Sequence, residues 1–129
     1  MGHNIINGIN YYSQIFSRWN NVFYAPVHEQ GNFDGNANTD SRGLFTGVRV
    51  SPTRVDNYKN GTLHHTGVNA IASSAINNNI YICCSNDAGT AAKFSARNIA
   101  MAFISSGSIN QLNFYNRFQT FATSIGFNV

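Results

Sequence analysis

At 129 residues the chain is one domain, long enough to bury a core without metals or staples, and its 43% hydrophobic content excludes a disordered polymer. Only 10% of residues are charged, so about twenty asparagines, with Ser and Thr, supply the polar surface. The net charge is +3, but Arg18, Arg42, Arg49, Arg54, Lys59, Lys93, Arg97 and Arg117 are scattered, which argues against the clustered patch of a nucleic-acid binder.

In chain order the pattern is a series of short strands followed by one helix. Met1-Gly-His-Asn4 has neither a charged n-region nor an apolar stretch, so no signal peptide is expected, and no run reaches transmembrane length. Residues 11–17 and 22–25 read as strands separated by Arg18-Trp19-Asn20-Asn21, and Pro26 ends the second. Residues 30–42 form a Gly/Asn/Asp-rich stretch expected to be a long loop, a common place for function. Residues 44–50 resume as strand, turned by Ser51-Pro52.

Asn60-Gly61 between two strand-like runs is the strongest hairpin signal, because a type I′ turn needs positive φ at both central residues. That turn predicts Lys59 opposite Thr62, Tyr58 opposite Leu63, Asn57 opposite His64 and Asp56 opposite His65. Residues 77–79 read as a turn, 80–84 as a strand, 86–89 as a loop and 99–104 as a strand apolar on both faces. From Ser108 the period becomes helical: Leu112, Tyr115, Phe118, Ala122 and Ile125 recur on one face. Ser108-Ile-Asn-Gln111 fits a capping box, and Gly126 stands where a helix C-terminus favours glycine.

Chemistry is scarce. Glu29 is the one glutamate, and Asp34, Asp40, Asp56 and Asp87 complete the acids. No expected strand carries a close carboxylate pair, the usual equipment for glycoside hydrolysis. His64 and His65, adjacent on a strand, are expected on opposite faces and therefore unable to share a metal. Cys83 and Cys84 are likewise neighbours, expected to be free thiols with at least one buried. No nucleophile elbow, phosphate-binding loop or metal-type cysteine spacing occurs, so no catalytic residue, metal or cofactor is expected. Sugar sites on β-proteins use aromatic faces against C–H groups, with Asn, Asp and Arg bonding hydroxyls. Trp19, Tyr24, Asn36, Asn38, Asp40 and Arg42 are of those types, and stand on or beside loops.

Phe94-Ser-Ala-Arg97, Ala102-Phe103, Asn113-Phe-Tyr115 and Gln119-Thr-Phe121, with Tyr58-Lys-Asn-Gly61 and Ile80-Tyr-Ile-Cys83, form a recurring combination. Over residues 39–129 it resembles the end of the concanavalin-A-like (laminin-G-like) jelly roll of bacteriophage and gut-bacterial surface proteins. The resemblance implies an all-β antiparallel sandwich with one C-terminal α-helix. Domains of this kind are usually longer, so the sandwich is either trimmed or completed by a neighbouring subunit. The resulting expectation is a non-enzymatic structural or adhesion module of a bacteriophage particle, in a tail, fibre or head-surface protein. Its partners would be copies of itself, other virion subunits and host surface glycan, with no nucleic acid and no membrane insertion, and its location virion or extracellular. A secreted bacterial carbohydrate-binding module is the alternative, and a remnant of a glycan-cleaving enzyme a third.

Overall fold

A computed structural model describes residues 2–6, 9–30, 34–68, 79–87, 89–107 and 109–127. The described chain is all-β with one C-terminal helix: eleven strands and α1 (Gln111–Ser124). The strands are β1 (Gly2–Ile6), β2 (Ile9–Ser13), β3 (Phe16–Trp19), β4 (Val22–Tyr24), β5 (Val27–Gln30), β6 (Gly35–Ala37), β7 (Phe45–Ser51), β8 (Arg54–Lys59), β9 (Thr62–Gly67), β10 (Ser85–Asp87) and β11 (Thr90–Ala92). They form three sheets: sheet A in the order β11-β10-β1-β2-β5, sheet B as β3-β4-β6 and sheet C as β7-β8-β9. Every pairing is antiparallel except the two-residue contact of β1 with β10.

Turn chemistry explains the hairpins. Asn60 and Gly61 take φ of 52° and 75°, as the Asn-Gly signal requires, and Asn20 and Asn21 take 51° and 59°. The second turn was hidden because Arg18 and Trp19, read as connector, extend β3 up to it. Gly61 is doubly constrained, since a Cβ there would stand 2.8 Å from Leu112 Cα, where the start of α1 crosses the hairpin.

The hairpin register departs from expectation beyond its second pair. Lys59 faces Thr62 and Tyr58 faces Leu63, but Asn57 faces His65 and Asp56 faces Thr66. His64 is the extra residue of a β-bulge, which a turn signal cannot reveal. The bulge also corrects the histidine orientation. Alternation puts Lys59, Asn57 and Val55 on one face of β8, so Thr62 and His64 share that face before the bulge, and His65 and Gly67 after it. Both histidines therefore lie on the inner face of sheet C. His64 confirms this by meeting Phe23 at 5.6 Å between ring centroids.

The core lies between sheet B with the Ala25–Val27 turn on one side and this inner face on the other. Phe23 is 0% exposed and packs edge-on against Phe45 at 4.9 Å. Gly47 admits the backbone of that turn so closely that its Cβ position is 2.8 Å from Ala25 Cβ and 3.0 Å from Val27 Cγ2. Helix α1 meets the opposite face of sheet C, where Thr46 Oγ1 donates to Gln111 Oε1 at 2.7 Å.

The helix runs close to its predicted bounds, with a shifted cap and a rotated face. Asn110, not Ser108, caps it, its side chain accepting from Asn113 N–H at 2.9 Å. Gly126 closes it at φ 77°, with Gly126 N–H donating to Thr123 and Phe127 N–H to Ala122, the paired bonds of a Schellman motif. Gln111 and Ala122 are buried and Tyr115 and Phe118 half-buried, whereas Leu112 is 52% exposed. The docked stripe is thus 111, 115, 118 and 122; Leu112, expected on this face, lies about 100° off it, and Ile125, also expected on it, is 62% exposed.

Three further expectations are corrected. The stretch 30–42 contains β6, which pairs with β4 in the register Phe23 to Asn36. Residues 80–84 are not a strand, because Cys83 adopts φ 66° and turns the chain, so pairing begins at Ser85. Residues 99–104 are not a central strand either, and every one of them is exposed. The predicted turn at 77–79 lies mostly outside the described residues.

Candidate functional site

Of the six sugar-type residues, two form an aromatic platform. Trp19 ends β3 half exposed, with its ring centroid 5.8 Å from Tyr24 and 5.7 Å from Phe16. Tyr24 faces Gly35 across sheet B, and a Cβ on Gly35 would stand 2.6 Å from its ring, so the missing side chain makes room for the tyrosine.

Asp40 and Arg42 pair with each other in the loop that follows β6. Arg42 Nε donates to Asp40 Oδ1 at 3.0 Å, and Arg42 N–H to the same oxygen at 3.1 Å. These bonds hold the Asp40 carboxyl below its usual range. The loop is fastened to β3 because the Arg18 guanidinium donates to Thr39 O at 2.7 Å, one residue from Trp19. Arg97 Nη2 in turn donates to Arg18 O at 2.9 Å.

The carboxamides of Asn36 and Asn38 are both engaged within the fold. Asn36 Nδ2 donates to His64 O at 3.3 Å, joining sheet B to sheet C. Asn38 is buried, donating to Ser17 O at 2.6 Å and Asp40 O at 2.7 Å, while its Oδ1 accepts from Lys59 Nζ at 2.7 Å. Trp19 and Tyr24 are therefore paired on sheet B, Asp40 and Arg42 are paired in the loop that Asn38 holds through Asp40 O, and Asn36 ties sheet B to sheet C.

A second polar group, which the sequence pattern did not mark, lies inside. On the inner face of sheet C, Arg49 is level with Val55 and Gly67, and Asn57 with His65. Glu29 enters from β5, its Oε1 3.4 Å from where a Gly67 Cβ would be, with Asp34 Cβ 3.7 Å from the same point. Glu29 is 2% exposed, and burial pushes its carboxyl up to about 7; nearby Asp34 adds to the rise and Arg49 opposes it. The Arg49 guanidinium donates to Val27 O and His28 O, and its burial lowers its own pKa. Arg49 Nη1, Asn57 Oδ1 and both histidine Nε2 atoms are buried with no hydrogen-bond partner among the described residues. The one signal of this interior was the His-His pair, and only the bulge turns both rings inward.

Among the described residues no group of three His, Cys, Asp or Glu is placed to hold a metal ion. No helix among them is long and apolar enough to cross a membrane.

The third feature is an exposed apolar surface in the last third of the chain. Phe94 is 77% exposed, Ile104 75%, Ile125 62%, Phe121 60% and Leu112 52%. Compared with family models, curated proteins and solved structures, the chain matches none.

Proposed function

We propose that this chain is a non-enzymatic structural and adhesion module that works as an oligomer, of the kind built into the surface of a bacteriophage particle. The observation that carries the proposal is the exposed apolar surface over residues 94–127. Isolated apolar residues on a surface are ordinary, whereas exposed Phe94, Ile99, Met101, Phe103 and Ile104, meeting α1 where Phe103 packs on Phe114, favour a contact surface. A neighbouring subunit covers such a surface most simply, and a stable contact buries on the order of 1,200 Å² or more in total. The non-enzymatic part rests on the scarcity of acids in the sequence, one glutamate and four aspartates.

The adhesion part draws on the half-exposed Trp19 ring, tilted 58° against Tyr24, and on the Asp40–Arg42 pair in the loop that Arg18 fastens to β3. Host surface glycan is the ligand class this chemistry suits. The same residues favour the alternative, a secreted bacterial carbohydrate-binding module, and oligomeric state separates the two. Sedimentation across a concentration series should show self-association for a particle protein. A monomer at every concentration that binds a glycan array through Trp19 would favour the carbohydrate-binding module. Turnover of a polysaccharide abolished by Glu29→Gln or Asp34→Asn would overturn the non-enzymatic reading.

A further inference from the structure

Residues 98–104, Asn-Ile-Ala-Met-Ala-Phe-Ile, have the composition of a strand and the surroundings of none. Ile99, Met101 and Phe103 form one bulky face at the period of a strand, with Ala100, Ala102 and Ile104 on the other. No backbone hydrogen bond involves these residues among those described, and all seven are exposed. The segment is held at its start and near its end. Arg97 Nη2 bonds Arg18 O at 2.9 Å, and Phe103 packs on Phe114 of α1 at 4.6 Å.

The sheets offer edges of unequal length. The outer strands of sheets A and B run three or four residues (β11, β5, β3 and β6), whereas sheet C ends in β7, of seven residues, and β9, of six. The β9 edge is already engaged, since Asn36 Nδ2 bonds His64 O. The outer edge of β7 has no hydrogen-bonded neighbour among the described residues. An open edge of that length is a template for an added strand.

We propose that residues 98–104 are a donor strand that pairs with the open β7 edge of a second copy of this chain. This rests on the assembly reading above and specifies its contact. Pairing supplies the main-chain hydrogen bonds that the segment lacks, and the partner's sheet gains a fourth strand. The bulky face carries Ile99 and Met101 onto the partner's apolar surface, which includes Val50, 50% exposed on β7, while Phe103 keeps its contact with Phe114. Seven residues in one strand match the seven of β7, which no edge of sheets A or B allows.

The test exploits the absence of backbone bonds in the single chain. The double variant Met101→Pro/Ala102→Pro removes two consecutive N–H groups, one of which must face the acceptor, and keeps the segment apolar. Its monomer should melt with the wild type, while self-association weakens more than about tenfold, as the loss of one or two ladder bonds implies. Met101→Val/Ala102→Val keeps both N–H groups and should assemble. Hydrogen exchange on the wild-type oligomer should show new protection in Phe45–Ser51, relative to dilute monomer. Unweakened assembly of the proline variant would overturn strand addition while leaving the assembly reading intact. A wild type that stays monomeric would remove both. A lowered melting point of the proline monomer would mean that the segment pairs within its own chain, and protection at β9 or β11 would refute the β7 acceptor.

Discussion

Asp56 and Thr66 face each other across β8 and β9, and Thr66 Oγ1 donates to Asp56 Oδ1 at 2.9 Å. This pairing exists because His64 is bulged, which slides every later residue of β9 by one position. Asp56 is 2% exposed, and its carboxylate is satisfied from two further directions. Arg54 Nε donates to Oδ1 at 2.8 Å and Arg54 Nη2 to Oδ2 at 2.7 Å, a bidentate pair. These bonds, led by Arg54, hold the Asp56 carboxyl below its usual range.

Thr66→Val removes the donor and keeps the shape, so it should destabilise the fold by about 1.5–3 kcal/mol, the usual worth of a hydrogen bond to a charged group. Urea unfolding measures it. A variant as stable as the wild type would mean that the register places Thr66 elsewhere. A second, sharper measurement is the acid limb: with a lowered folded pKa, Asp56 contributes stability above about 3.8 that is lost as pH falls through the folded value. Asp56→Asn should flatten that limb.

How much of this was legible in the sequence depended on the range of the signal. Asn60-Gly61 and Gly126 act within a few residues, and both turned out as read, with positive φ where it was required. The helix bounds followed from period, but its docked face did not. That face depends on what lies under it, namely Thr46 and the Gly61 turn. Asn36 and Asn38 look like ligand-binding types, yet their carboxamides are used for Asp40 close by and for Ser17, Lys59 and His64, partners remote in sequence. Residues 99–104 have the composition of a buried strand, and composition cannot say whether the covering sheet belongs to the same chain.

The crossing of α1 over the hairpin gives a prediction about docking. Gly61→Ala places a Cβ where Leu112 Cα, the Gln111 carbonyl and Tyr115 Cβ all lie within 3.0 Å. It also forces a side chain to accept φ 75°, which alone costs roughly 1–2 kcal/mol. The variant should lose at least that much stability, and α1 amides should exchange faster than those of β8. Uniform exchange throughout would indicate that the helix does not depend on this crossing.

Cys83 and Cys84 are both free, the first half-buried and the second buried. Thiol titration of native protein should therefore give one fast and one slow reaction, and denatured, unreduced protein should give both. A missing equivalent after denaturation would contradict the free-thiol assignment. The slow thiol should be Cys84, so Cys84→Ser should leave the fast phase untouched.

Glu29 makes the protein's response to pH unlike that of a chain stabilised by ionised carboxylates. Its carboxyl titrates near 7 in the fold against about 4.5 when free, because burial beside Val55 and Gly67 penalises the charge more than Arg49 relieves it. The folded state therefore holds this proton more tightly than the unfolded state does. The stability it contributes is complete below about 4.5, declines as pH rises toward 7 and is gone above that. Asp56 acts in the opposite sense at lower pH, so the melting point should be greatest in mildly acidic solution, between the two limbs. Glu29→Gln keeps the shape and removes the charge. It should abolish the decline between pH 4.5 and 7 and raise the melting point at pH 8, while leaving the acid limb of Asp56 in place. Parallel melting curves for variant and wild type across that range would show that the Glu29 carboxylate is hydrated in the fold, and that the interior of sheet C is open to water.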